Sequence, residues 1–138
     1  MRGGVDSGLY VVATPIGNLG DMVPRAVETL QSVDLIAAED TRHSAPLLKH
    51  FSIDTPMLAY HEHSDEQAQR RIAECIDGGG SVALISDAGT PLISDPGYKL
   101  LRYAHQCGWK VVPIPGASAL IAALSVAGMA TDRFRFGG

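Results

Sequence analysis

The chain has 138 residues, 46% hydrophobic and 19% charged, the balance of one globular domain large enough to bury a core. Its net charge is −4, with 11 Lys and Arg against 15 Asp and Glu, so it lacks the clustered cations by which a domain grips nucleic acid alone. No apolar run approaches the about 20 residues of a membrane span, and residues 1–8 read as a short polar leader without the apolar centre of a signal peptide.

Residues 9–13 form a continuous apolar run, the pattern of a strand covered on both faces. Pro24 then opens a helix with Val23, Ala26, Val27, Leu30 and Val33 on one face, and Asp21 is the expected cap. A short strand at 35–38 ends in Glu39-Asp40-Thr41-Arg42, a helix is expected over 46–51, and a third strand over 57–60. Ser64 and Gln67 have capping-box spacing ahead of a helix whose buried stripe is Ala68, Ile72, Cys75 and Ile76, closed by Gly78-Gly79-Gly80. The fourth strand, 82–85, runs into the loop 86–97, and Tyr98, Leu101, Ala104 and His105 then lie along a helix that Gly108 ends. Residues 111–114 are a fifth strand, in which Pro113 removes a donor and so points to a sheet edge or an irregular end. A last helix, apolar on nearly all sides, follows Pro115-Gly116-Ala117-Ser118, and residues 131–138 read as a linker. Cys75 and Cys107 both fall in helical patterns, so buried free thiols are expected rather than a disulfide, with a cytoplasmic location.

Strands alternating with helices predict an α/β fold with a mostly parallel five-stranded sheet. Three loops then share one edge: residues 14–20, 86–97 and 115–118, each joining Pro to Gly in a stiff turn that lets backbone approach a ligand. Any one of them is equally a plain structural turn. Together, at the carboxyl ends of parallel strands, they mark the usual ligand position of an open α/β sheet. Gly17-Asn18-Leu19-Gly20 has neither dinucleotide-fingerprint nor P-loop spacing, which disfavours a phosphate cradle.

Residues 12–19, Ala38-Glu39-Asp40-Thr41-Arg42, residues 86–97 and Pro115-Gly116-Ala117-Ser118-Ala119 together resemble the tetrapyrrole methylase superfamily (class III methyltransferases), and within it the ribosomal RNA small subunit methyltransferase I branch. The resemblance runs from Leu9 to Phe136 and covers the N-terminal domain only. It implies a cofactor-cleft domain over 9–130, a linker beginning at 131–138, and a second, C-terminal domain as the other wall of the cleft. It further implies S-adenosylmethionine as cofactor, small-subunit ribosomal RNA as substrate, 2′-O-methylation of a cytidine ribose as reaction, and a homodimer. Pro15, Ile16, Gly17 and Asn18, then Asp87, Ala88, Gly89 and Thr90, then Pro115, Gly116 and Ala117 would line this domain's side of the cofactor site.

A methylated hydroxyl must lose its proton, and Glu39 and Asp40, just past the second strand, are the candidates for the base or for acceptor binding. A salt-bridge and capping cluster is the alternative for the same residues. Asp87 suits a cationic sulfonium or ammonium, or equally a turn-stabilising hydrogen bond. His61-Glu62-His63 has no cysteine partners and reads as a solvated loop rather than a metal site, and no metal is expected. Two other readings stay open. One is methylation of a tetrapyrrole or other small acceptor, whose enzymes usually carry Gly-Asp-Pro where this chain has Gly89-Thr90-Pro91. The other is a binding or dimerisation module that does no catalysis by itself.

Overall fold

The computed structural model describes residues 5–14, 22–38, 41–60, 66–85 and 95–114. Along them run β1 (Gly8–Val12), α1 (Pro24–Ser32), β2 (Leu35–Ala38), α2 (Thr41–His50), β3 (Met57–Ala59), α3 (Glu66–Asp77), β4 (Ser81–Ile85), α4 (Asp95–Cys107) and β5 (Val111–Ile114). The strands form one all-parallel sheet in the order β3-β2-β4-β1-β5. β1, β2 and β4 are buried at every position, as their unbroken apolar sequences require, whereas the edge strands β3 and β5 are mostly half-buried.

Strand residues alternate between two cores. Leu9, Val11, Leu35, Ala37, Val82 and Leu84 pack with Ala68, Ile72 and Ile76 of α3 and with Leu100, Leu101 and Ala104 of α4. Tyr10, Val12, Ile36, Ala38, Ala83 and Ile85 pack with Ala26 and Leu30 of α1 and Leu48 of α2. The path explains the layers. From β1 through β2 to β3 the chain moves one way along the sheet, and from β3 through β4 to β5 it moves back. Right-handed crossovers of opposite direction land on opposite faces.

Several local expectations are corrected. α2 begins five residues before Pro46 rather than at it. Pro46 forfeits a single helical hydrogen bond, and burial of Ser44 and Leu48, one turn apart, carries the helix across it. α4 starts at Asp95, so Asp95-Pro96-Gly97 belong to the helix and not to the loop before it. A proline in a first turn costs no helical bond. The cap position of α1 is held by Val23, without a side-chain hydrogen bond, and not by Asp21, which lies outside the described residues. In α4 Leu101 and Ala104 are buried as expected, but His105 is exposed and Leu100 takes a buried place in the stripe. Cys107 is exposed and Cys75 half-buried, so the expected pair of buried thiols is wrong in one case. Gly108 does end α4, at φ +75°, a conformation an L side chain rarely adopts.

The amino end of the sheet is tied by polar bonds. Ser81 N–H donates to Asp34 Oδ2 at 2.9 Å, and Asp34 N–H donates back to the Ser81 carbonyl at 2.9 Å, joining the starts of β2 and β4. Thr55 Oγ1, buried ahead of β3, donates to the Leu30 carbonyl at 2.7 Å. Tyr10 Oη donates to the Asp6 carbonyl at 2.7 Å, and Trp109 Nε1 to Asp77 Oδ1 at 2.8 Å. At the β5 edge, the carbonyls of Lys110 and Ile114 accept from Leu9 and Ala13, so Pro113, opposite Val11, turns its ring nitrogen to the open side.

Candidate functional site

The register lines up the last residues of all strands. Ala59 pairs with Ala38, Ala38 with Ile85, Ile85 with Val12 and Val12 with Ile114. The row Ala59, Ala38, Ile85, Val12, Ile114 is therefore level across the carboxyl edge of the sheet. Four of these five residues are fully or almost fully buried.

Every segment singled out in the sequence starts from this row. Glu39 and Asp40 follow Ala38 directly, residues 86–90 follow Ile85 directly, Pro115 follows Ile114 directly, and Pro15 comes after the short extension Ala13-Thr14 beyond Val12. Glu39, Asp40, Pro15, Ile16, Gly17, Asn18, Asp87, Ala88, Gly89, Thr90, Pro115, Gly116 and Ala117 themselves lie outside the described residues. The strands that carry them are adjacent: β2, β4, β1 and β5 in that order. With strand spacings of about 4.8 Å, the cofactor segments start within about 10 Å of one another, and Glu39 starts one strand further on. His61-Glu62-His63, also outside the described residues, comes after β3, which the strand order sets farthest from β1 and β5.

β4 is also a switch point. Its helix α4 packs on one face of the sheet, while the helices after its two neighbours, α1 after β1 and α2 after β2, pack on the other. Chain leaving adjacent strands toward opposite faces opens a crevice between them, and such crevices are where open α/β sheets hold ligands. By the faces of these helices β4 meets that condition against both neighbours, β2 and β1. Residue 86 follows β4 in the chain, as Glu39 follows β2. This placement fits a small cofactor reached by backbone groups of turns, the kind of contact that the Pro- and Gly-rich sequences suggest.

Perturbed titratable groups among the described residues lie away from that edge. Burial raises the Cys75 thiol, with the Asp34 carboxylate adding to it and Arg71 opposing. Burial also raises Tyr10, and a hydrogen bond from Lys110 Nζ to Asp6 Oδ2, 2.9 Å long, raises Lys110. A groove of about 500 Å³ lies between α2 and β3, lined by Leu48, Lys49, Ser52, Ile53, Thr55 and Met57 among others; it gathers none of the candidates. Among the described residues no three His, Cys, Asp or Glu side chains are placed to share a metal ion, and no helix is long and apolar enough to cross a membrane. The sequence reading placed Thr14 at the head of the first loop without a role of its own, and its side chain is buried just beyond β1. Its signal was a polar residue closing an otherwise apolar strand.

A doubly wound parallel sheet with its Pro- and Gly-rich segments on one level edge defines a ligand-binding α/β domain. The sequence pattern of the Tetrapyrrole (Corrin/Porphyrin) Methylases matches residues 8–136, and the chain belongs to that family. Among curated proteins it is similar to the Ribosomal RNA small subunit methyltransferase I of Synechocystis sp., with 59% identity over 130 residues, 94% of this chain and 47% of that protein. The protein of the same name from Pseudomonas aeruginosa is also 59% identical, over 94% of this chain and 46% of its own length. That from Escherichia coli O157:H7 is 53% identical over the same shares. The chain thus spans about half the length of the curated relatives it matches.

Proposed function

We propose that this domain is one wall of the cofactor cleft of an S-adenosylmethionine-dependent methyltransferase that methylates the 2′-hydroxyl of a cytidine ribose in small-subunit ribosomal RNA. The observation that carries the proposal is the level carboxyl edge of the sheet, with β4 at the switch point, from whose strands the family-like segments follow in the chain. The names of the relatives support RNA as acceptor over a tetrapyrrole. A C-terminal domain of the same chain forms the other wall, and the protein works as a cytoplasmic homodimer.

The cofactor, when bound, supplies an electrophilic methyl group on a cationic sulfonium. Residues 15–18, 87–90 and 115–117 would hold and orient it, chiefly through backbone groups, and the carboxylate of Asp87 is the group suited to its positive charge. Alignment of the ribose oxygen with the methyl carbon supplies most of the acceleration, since well-oriented partners reach effective molarities of about 10⁵ M or more. Glu39 or Asp40 would take the proton that the ribose hydroxyl must lose when it is methylated. A base in that role contributes about 10²- to 10⁴-fold. The domain's net charge of −4 leaves the RNA grip to the second domain, to the partner copy or to ribosomal surroundings.

The test uses the natural full-length protein, undermethylated small subunits and methyl-labelled cofactor. Label is expected at a single ribose 2′-oxygen of the RNA. Label on a porphyrinoid and none on RNA would transfer the protein to the small-molecule branch. Cofactor binding without transfer to either would leave a non-catalytic module.

A further inference from the structure

Thr14, Thr29, Ser44, Thr55 and Ser81 are the buried polar side chains among the described residues. Most of them serve the scaffold. Thr29 Oγ1 donates to the Arg25 carbonyl within α1, Thr55 to the Leu30 carbonyl, and Ser81 is bonded to Asp34. Ser44 sits inside α2, where the carbonyl one turn back is the ordinary acceptor for a serine hydroxyl. Thr14 is placed differently. It stands beyond the level row, next to the Ala13 N–H that donates to the Ile114 carbonyl, and it is only 6% exposed. Pro15 follows it and confines Thr14 to extended conformations, so the alternation of the strand continues and Thr14 falls on the face of Tyr10 and Val12. A valine would fill the same space, and every residue of the strand from Leu9 to Ala13 is apolar. Burying a hydroxyl there costs about 1–3 kcal/mol unless it is hydrogen-bonded. A hydroxyl at the last buried position before a ligand segment has the place and the chemistry to fix the backbone of that segment.

We propose that Thr14, buried where β1 gives way to residues 15–18, is a positioning residue for that cofactor segment, acting through its backbone and not by touching the cofactor. The inference rests on the cofactor reading above. It is tested in the natural full-length protein with Thr14→Val, Thr14→Ser and, as a scaffold control from the opposite end of the sheet, Thr55→Val. Two quantities are measured for each: S-adenosylmethionine affinity by calorimetry, and thermal midpoint without ligand. Thr14→Val is expected to weaken binding about tenfold, the equivalent of one hydrogen bond of about 1.4 kcal/mol. Thr14→Ser should bind within about twofold of the parent, and Thr55→Val should lower the midpoint while leaving affinity unchanged. Parent-like affinity in Thr14→Val overturns the inference, as does an equal loss of affinity in Thr55→Val. Should Thr14→Val not fold, Thr14→Ala is read in its place, with weakened binding upholding the inference and parent-like affinity overturning it. A folded parent that gives no binding heat at all overturns the cofactor reading, and this inference with it.

Discussion

The amino and carboxyl ends of the sheet are built in opposite ways. At the amino end the starts of β2 and β4 are bonded through Asp34 and Ser81, Thr55 is bonded to the end of α1, and Gly80 fits where a Cβ would meet Cys75 Sγ at 2.7 Å and the Cys75 carbonyl at 2.8 Å. At the carboxyl end the strands stop level on small or branched apolar residues, and the chain's Pro, Gly and acidic residues follow. One end closes the fold with polar bonds. From the other start the segments proposed above to hold the cofactor. Stability and function are therefore expected to separate along the strand direction.

The largest effect falls at the carboxyl end. Asp40→Asn or Glu39→Gln, whichever removes the base, should cut the single-turnover methyl-transfer rate by about 10²- to 10⁴-fold with little change in the unfolding midpoint. If both variants transfer at the parent rate, the base lies elsewhere. At the amino end Gly80→Ala should cost about 2–3 kcal/mol in denaturant unfolding, because backbone as well as sulfur must move. Its effect on cofactor affinity should be nil, and a parallel loss of binding would break the separation.

Asp34→Ala leaves the Ser81 N–H without this acceptor and should cost about 1–2 kcal/mol, again in stability alone. A gain is expected from Ser52→Gly. Ser52 ends α2 at φ 56°, where the Ile53 N–H donates to the Leu48 carbonyl, and glycine relieves about 0.5–1 kcal/mol of backbone strain there. The smallest effect is in the thiols. The folded state holds the Cys75 proton more tightly than the unfolded chain, so its contribution is full at neutral pH and lost as pH rises through the alkaline thiol range. Urea midpoints of the parent should fall across that range more than those of Cys75→Ala. At pH 8, by the same token, a thiol reagent should label exposed Cys107 well before Cys75.

Much of the layout was legible in the residues, for reasons of period and burial. Unbroken apolar runs identified the covered strands, the Ala68, Ile72, Ile76 spacing identified α3, and Pro113 identified an edge. What escaped were the boundaries where polar or proline-bearing residues are helical. Thr41, Arg42, His43 and Ser44 read as the continuation of a loop, and only the burial of Ser44 and Leu48 against the sheet makes them a helix. Asp95-Pro96-Gly97 read as loop because each residue is a turn former, yet a first helical turn tolerates all three. The strand order was beyond local sequence, since it depends on crossovers that skip a neighbour. That order places the exits of Glu39, residue 86 and Pro15 side by side. The burial of Thr14, first residue of the loop 14–20, was not legible because a single hydroxyl at the end of a strand has no periodic signature.

The outward-turned nitrogen of Pro113 bears on how this protein keeps company with itself. A sheet edge is a template on which a second chain can be laid, and every regularly spaced donor along it helps that chain to settle. Here the template has a missing rung in the middle of a strand only four residues long. Crowding or transient opening of neighbouring segments is then less able to seed edge-to-edge stacking at β5, and Pro113→Val should shorten the lag before turbidity appears in concentrated solution. A proline in an edge strand would thus act on solubility rather than on the pairing with β1.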